Sequence, residues 1–344
     1  MLFSVLIPLY NSEEYIGECL DSVLSQDFQD YEIVVIDDGS TDNSGMICDE
    51  YKSRFPERIK VIHKANEGVL LTRRRAIREA EGDYLLWIDS DDCYKKDLMC
   101  SLYIEIKAND PDMLIWNYET MSKDDGRAET IHCLSIPDKT VISGDQIKKI
   151  YEQMLIGRDM NELWTKCFRR NLVDLDADYQ EFSHVKMGDD LFCLFPIMDR
   201  VKKIEYLDKS YYSYRLVDSS ITHSKDYKRY YSYRTIFERA TYYLTKWALD
   251  DDVCQRAKDQ FVNRIISCIT LASEGSIGYQ EFKTFVKKIN YDESVSKIYS
   301  EEKRKLSSRF NQMCYGLLIH KRYWLLYCFV NAVVKYRRLL RDVA

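Results

Sequence analysis

Apolar residues in the first 120 positions fall into short unbroken runs separated by stretches with helical spacing. Phe3–Tyr10 (FSVLIPLY), Glu32–Ile36 (EIVVI), Lys60–His63, Tyr84–Ile88 (YLLWI) and Met113–Tyr118 read as strands. Such short continuous runs suit strands buried on both faces. Between them, Glu13–Gln26 places Tyr15, Ile16, Leu20, Val23 and Leu24 at helical spacing, with Asn11-Ser12 as the cap. Asp42–Arg54, Val69–Glu81 and Lys95–Ala108 continue the alternation, and Gly82 ends the second of these. The pattern predicts an α/β fold whose mostly parallel sheet is covered by helices. Ligands of such sheets collect beyond the carboxyl ends of the strands.

Near residue 225 the pattern changes. No proline follows Pro196, and apolar residues recur at helical spacing, as in Tyr230–Leu244 and Phe261–Leu271. Residues 1–224 carry 27 Lys+Arg against 43 Asp+Glu, whereas residues 225–344 carry 23 against 13. This predicts an α/β domain over 1–224 and an all-helical domain over 225–344. The whole chain of 344 residues is 46% apolar with a net charge of −6, a globular balance. Eleven cysteines, with no C-x-x-C pair and no Cys/His cluster, read as reduced core residues of a cytosolic protein. The opening MLFSVLIPLYN lacks the basic start and cleavage site of a signal peptide. The longest nearly unbroken apolar run, Tyr323–Val334, spans ~18 Å as a helix, too short to cross a bilayer.

Two predicted strands end in acids. The second runs into Asp37-Asp38-Gly39-Ser40-Thr41-Asp42 and the fourth into Asp89-Ser90-Asp91-Asp92. Helix capping and turn formation explain one or two acids per loop. Three acids within four residues repel one another and suit a hard cation such as Mg²⁺ or Mn²⁺, which binds carboxylate and phosphate oxygens together. A further pair, Gly188-Asp189-Asp190, precedes the apolar run Leu191–Phe195. It reads as a helix cap or as a catalytic carboxylate. A polymerase-type GDD turn would require a basic nucleic-acid track, and the surrounding sequence is acidic, so no nucleic-acid partner is expected. Neither G-x-G-x-x-G nor G-x-x-x-x-G-K-[ST] occurs, which disfavours a nucleotidyltransferase.

Pro8-Leu9-Tyr10-Asn11, Asp37-Asp38-Gly39-Ser40, Asn66-Glu67-Gly68-Val69 with Arg73, and Asp89-Ser90-Asp91-Asp92, in this order and spacing, resemble the inverting family-2 glycosyltransferases of the GT-A (Rossmann-like) fold. The likeness is strong over residues 1–120 and weaker to about 224. It implies a nucleotide-sugar-binding half, 1–120, and an acceptor-side half, 121–224. Pro8, Tyr10, Asn11 and Asp38 would hold base and ribose, with Arg73 close to the nucleotide. Asp89, Ser90 and Asp91 would form the DxD element, and Asp91 and Asp92 would ligate the cation on the diphosphate. Asp190 would be the general base that takes the proton of the acceptor hydroxyl, with Asp189 orienting it or meeting the acceptor. Relatives often show small residues around Arg73, where this chain has Thr72-Arg73-Arg74-Arg75-Ala76. Arg74 and Arg75 read either as a solvated helix face or as acceptor or phosphate contacts.

Trp164 and Lys166 lie in a stretch that relatives write as Trp-x-Lys-x-(aromatic)-Arg. They read as a sugar-stacking ring and a phosphate or hydroxyl contact, or as a core Trp beside a surface Lys. Arg215 and His223, in and after Tyr211-Tyr212-Ser213-Tyr214-Arg215, are candidates for the diphosphate or metal, with a sheet-edge or structural role as the alternative. At the far end, His320-Lys321-Arg322 and Lys335, Arg337, Arg338 and Arg341 flank the apolar run. Residues 317–341 therefore suit either a helix lying in an anionic membrane interface or one packed on the core or in a homo-oligomer. The expected activity is transfer of a sugar from a nucleoside-diphosphate sugar, with uridine as the base, to a hydroxyl of a growing, polyprenyl-linked surface glycan. The expected location is the cytoplasmic face of the plasma membrane. A catalytically silent member that scaffolds polysaccharide synthesis is the second reading, and loss of Asp190 or of the Asp89–Asp92 cluster would favour it.

Overall fold

The computed structural model describes residues 1–121, 128–157, 160–217, 226–275, 277–298 and 305–343. It divides into two compact units, Met1–Asp218 and Ser219–Ala344.

The first unit is built on β1 (Phe3–Leu9), β2 (Tyr31–Asp37), β3 (Ile59–His63), β4 (Tyr84–Trp87), β5 (Cys93–Tyr94), β6 (Met113–Met121), β7 (Ala128–Ile131), β8 (Thr140–Ser143), β9 (Lys166–Arg169) and β10 (Lys203–Arg215). They form one sheet in the order β3-β2-β1-β4-β9-β6-β10-β5, with β7 on β6 and β8 on β10. β1 runs parallel to β2 and β4, β2 to β3, and β6 to β10. The sheet is therefore mostly parallel, as the apolar runs predict, and it is flanked by helices: α1 (Ile16–Leu24), α2 (Ser44–Arg54), α3 (Val69–Glu79), α4 (Leu98–Asn109), α5 (Ile147–Ile156) and α6 (Asp189–Met198).

β9 departs from the parallel pattern. It lies between β4 and β6 and is antiparallel to both. Its four residues, KCFR, are too few to display a period, yet Cys167 and Phe168 are wholly buried. Two helices start later than expected. Asn11 adopts a left-handed φ of 49°, and the Ser12 N–H donates to Ser44 Oγ at 2.8 Å, so α1 begins only at Ile16. Cys93–Tyr94 pairs with β10, which delays α4 to Leu98.

Arg74 is neither on a solvated face nor open to a ligand. It is buried in α3, where its guanidinium donates to the carbonyls of Asp174 (2.7 Å), Leu175 (3.2 Å) and Ala177 (2.9 Å) and lies 4.7 Å from the Tyr179 ring centre. Arg75 is exposed and pairs with Glu79 at 2.8 Å.

The second unit is helical: α7 (Tyr230–Lys246), α8 (Asp251–Glu274), α9 (Tyr279–Tyr291), α10 (Glu293–Ser296), α11 (Arg309–Ile319) and α12 (Tyr323–Val343). Phe237 stacks on Phe261 with centroids 4.0 Å apart, within a core that includes Ile265, Ile269, Phe282, Val286, Leu318, Leu326 and Val330. The helix expected over 317–341 is broken. Lys321 takes a left-handed φ of 57°, and Asn290 Nδ2 donates to the Leu318 carbonyl (2.8 Å) and the Tyr323 hydroxyl (3.2 Å) across the corner. Among the described residues, no helix is long and apolar enough to cross a membrane.

Replacing Arg74 by Met removes the buried donor shared by the Asp174, Leu175 and Ala177 carbonyls. It should lower stability by about 2 kcal/mol in urea denaturation of the intact chain; an unchanged midpoint would contradict the bracing role.

Candidate active site

The loops that leave β1, β2 and β4 at their carboxyl ends meet one another and the start of α6. Asn11 Oδ1 accepts the Thr41 N–H at 2.8 Å, and the Ser12 and Ser90 hydroxyls share a hydrogen bond of 2.7 Å. Gly39 has a positive φ of 74°, and a Cβ there would lie 2.9 Å from the Asn66 backbone nitrogen. Only glycine combines that conformation with so close an approach. Tyr10 is exposed and Pro8 half-buried beside this junction.

Arg73 lies at the centre. It is buried in α3 with its guanidinium 5.1 Å from the Trp87 ring centre. Its Nε meets Asp189 at 2.9 Å, and one terminal nitrogen meets Asp89 at 3.2 Å and Asp190 at 2.9 Å. One cation thus ties the acids after β4 to the acids that open α6. Burial opposes the charge on Arg73, but Asp190, Asp89 and Asp189 hold it firmly protonated. Burial pushes the Asp190 carboxyl well above the usual carboxylate range, while Arg73 pulls it back down. Asp89 is raised for the same reason against the same pull. Gly188, with φ of 76°, turns the chain so that Asp189 and Asp190 enter the first turn of α6.

The acids after β4 have three different surroundings. Asp92 is buried, and both its oxygens are engaged: one accepts the Tyr212 hydroxyl at 2.6 Å, the other the Arg215 backbone N–H at 2.7 Å. These two bonds make the Asp92 carboxylate a brace between the β4 loop and β10. Asp89 faces Arg73. Asp91 has no side-chain partner among the described residues, and burial followed by the nearby Asp89 pushes its carboxyl up to about 6. Among the described residues, no group of three or more His, Cys, Asp or Glu side chains is arranged around a metal position. A preformed metal cage is therefore absent from the described residues. The arrangement fits a cation that arrives with phosphate oxygens and takes one carboxylate, Asp91, from the protein.

Other candidate residues are held by protein partners. Asp38 is buried; its carboxylate accepts the Glu67 and Gly68 N–H groups, each at 2.9 Å, and pairs with Lys64. It shapes the 64–68 loop instead of presenting a free oxygen to a ribose. Trp164 is only 5% exposed and stacks on Tyr212 (4.3 Å) and Tyr214 (5.7 Å), which leaves no open face for a sugar. Lys166 is fully buried; its Nζ donates to the Glu162 carbonyl at 2.6 Å and to Thr165 Oγ1 at 2.9 Å, and burial lowers its pKa. It fastens the 162–166 turn and cannot reach a ligand. Arg215 donates from Nε to the Asp91 carbonyl at 2.9 Å and pairs with Glu18 at 2.6 Å, so it grips the loop backbone. His223 lies outside the described residues.

Tyr212 and Glu18 were missed as parts of this frame. The Tyr212 hydroxyl accepts the Asp89 N–H (3.2 Å) while donating to Asp92. The tyrosine run of β10 was the available signal, but nothing in it distinguishes the one ring that reaches beneath the acidic loop.

Residues 4–166 match the profile of glycosyl transferase family 2. EpsH of Bacillus subtilis (strain 168), named as a putative glycosyltransferase, is 30% identical over 243 residues, which cover 70% of this chain and 68% of that protein. The chain belongs to glycosyltransferase family 2. The glycosyltransferase GlyA of Streptococcus pneumoniae serotype 4 is 31% identical over 222 residues, covering 64% of this chain but only 31% of GlyA, so the chain spans about a third of that relative. It spans 42% of a second pneumococcal glycosyltransferase, GlyG, to which it is 39% identical over 126 residues. The solved structure of residues 1–349 of S. aureus TarS in complex with UDP-GlcNAc superposes with a TM-score of 0.67 at 22% identity, covering 98% of this chain and 92% of that one. The family-2 glycosyltransferase described here thus has the GT-A fold.

Tyr212→Phe removes one hydrogen bond to buried Asp92 and one acceptor from the Asp89 N–H. Stability should fall by about 1–2 kcal/mol, and nucleotide affinity should fall with it, read by denaturation and calorimetry. Wild-type values in both would show that Tyr212 does not hold the loop.

Proposed function

We propose that this family-2 glycosyltransferase moves a sugar, with inversion, from a UDP-sugar to a hydroxyl of a cell-surface glycan carried on a polyprenyl lipid. The observation that carries the reading is the shared salt bridge of Arg73 with Asp89 and Asp190. A group that must deprotonate an attacking hydroxyl works best with a pKa raised toward the working pH while it remains anionic. Burial raises the Asp190 carboxyl while Arg73 opposes that rise, so in its anionic form it would be a stronger base than an exposed aspartate. Asp190 would take the hydroxyl proton as oxygen attacks the anomeric carbon from the face opposite the diphosphate. Asp189, on the same guanidinium, would fix its orientation.

The donor side rests on Pro8, Tyr10, Asn11, Ser90 and Asp91 around the junction of the β1, β2 and β4 loops. Asp91 would supply the carboxylate for a Mn²⁺ or Mg²⁺ ion, which when bound offsets the charge growing on the leaving diphosphate. Acids outnumber cations here, so an anionic diphosphate would be repelled without such an ion. TarS, of the same fold, binds UDP-GlcNAc in its solved complex, which supports uridine as the base. Sugar nucleotides and polyprenyl carriers meet at the cytoplasmic face of the plasma membrane, where we place the reaction. The intact Asp89–Asp92 and Asp189-Asp190 groups support transfer over a scaffolding role.

Asp190→Asn should reduce sugar transfer by on the order of 10³-fold and leave UDP binding intact. Asp91→Ala should abolish the enhancement of UDP affinity by Mn²⁺. Nucleotide release from a panel of sugar nucleotides and calorimetry read the two effects. Full turnover by the Asp190→Asn protein would remove the base assignment, and unchanged Mn²⁺ dependence in Asp91→Ala would remove the cation assignment.

A further inference from the structure

α12 carries two apolar stripes, and only one is used by the fold. Tyr323, Leu326, Val330 and Val334 are buried in the helical core. Leu325, Cys328, Ala332 and Tyr336, each two positions later, are exposed, and Leu339 extends their line. At about 100° per residue, a shift of two positions carries a side chain to the opposite side of the helix. The second stripe therefore faces away from the core. Leu325 is 50% exposed, Tyr336 62% and Leu339 56%, with Trp324 and Leu340 exposed alongside. The small Ala332 keeps the middle of the stripe free of polar groups. Isolated exposed apolar residues need no account, but an outward stripe that continues over about four turns marks a contact surface.

The charge around the stripe selects what covers it. Residues 303–341 contain ten Lys or Arg and no Asp or Glu. Among them, Lys321, Arg322, Lys335, Arg337 and Arg338 are exposed on or beside α12. Arg337 lies 5.1 Å from the Phe310 ring centre and Lys321 4.8 Å from that of Tyr291, so both cations are held at the surface against aromatic faces. A second copy of the same face would bring like charges together. A leaflet rich in anionic lipid offers acyl chains for the stripe, phosphates for the cations and an interface for Trp324 and Tyr336. No described helix is able to span a bilayer, which leaves the surface-parallel arrangement.

We propose that α12 docks on the surface of an anionic membrane through Leu325, Cys328, Ala332, Tyr336 and Leu339, with the surrounding lysines and arginines on the lipid phosphates. Tyr323 and Tyr327 do not join this surface, because both pack on the protein. The inference stands apart from the transfer chemistry, since the stripe lies in the helical unit and shares no residue with the catalytic acids.

The test is co-sedimentation of the intact chain with vesicles of phosphatidylcholine alone and of phosphatidylcholine with phosphatidylglycerol. The protein should pellet with the anionic vesicles, less so as salt rises, and stay in solution with the neutral ones. Leu325→Glu/Leu339→Glu alters two exposed positions and should preserve the helical circular dichroism, while partition falls by on the order of a hundredfold. Lys335→Gln should weaken binding less, by about fivefold. Nucleotide release from a sugar nucleotide in the absence of vesicles should be the same for wild type and the double variant, which separates this test from that of the enzymatic reading. Absence of wild-type binding to anionic vesicles, or unchanged binding by the double variant, would overturn the proposal. So would a dimer that the double variant dissolves without any vesicle binding.

Discussion

A single guanidinium joins the two groups of acids in the candidate active site. Arg73 comes from α3, Asp89 from the end of β4 and Asp189 and Asp190 from the start of α6, with Arg73 and Asp189 116 positions apart along the chain. Crowding three half-buried carboxylates in one place is unfavourable unless a cation compensates them. Arg73, buried and held over Trp87, does so for all three. Its planar fork meets several oxygens in fixed directions, which a lysine ammonium cannot reproduce. The loop after β4 and the acids that open α6 are thereby held in one frame.

The rest of the fold serves to bring those groups to the same edge. Parallel strands β1, β2 and β4 deliver their loops to one side of the sheet. Asp38 and Gly39 clamp the loop before α3, Tyr212 and the Arg215 backbone clamp the loop after β4, and Lys166 fastens the turn before β9. Many of the conspicuous polar residues are thus braces. One acid of the β4 loop, Asp91, is left without a side-chain partner among the described residues, and burial with the nearby Asp89 pushes its carboxyl up to about 6.

The sequence made five of the ten strands and their alternation with helices legible, because buried parallel strands are continuous apolar runs, but the longest strand, β10, was not among them. It did not reveal β9, whose four residues show no period, nor the break at Lys321, which depends on Asn290 reaching across from α9. Motif residues could be found by spacing, but not the direction their side chains face. Asp91 and Asp92 are adjacent and chemically identical, yet Asp91 has no side-chain partner among the described residues and Asp92 bonds Tyr212 from 120 positions away. Trp164 and Lys166 likewise look available in the sequence and are closed off by Tyr212, Tyr214 and the Glu162 carbonyl. Long-range partners decide these cases, and a linear pattern does not carry them.

The most direct test of the central bridge is a double-mutant cycle on transfer rate with Arg73→Gln and Asp89→Asn. If Arg73 couples the β4 acids to Asp190, the double variant should be no slower than the worse single variant, giving a coupling of roughly 2 kcal/mol or more. Strictly additive losses would mean that Arg73 and Asp89 act independently, and the account of a shared frame would fail.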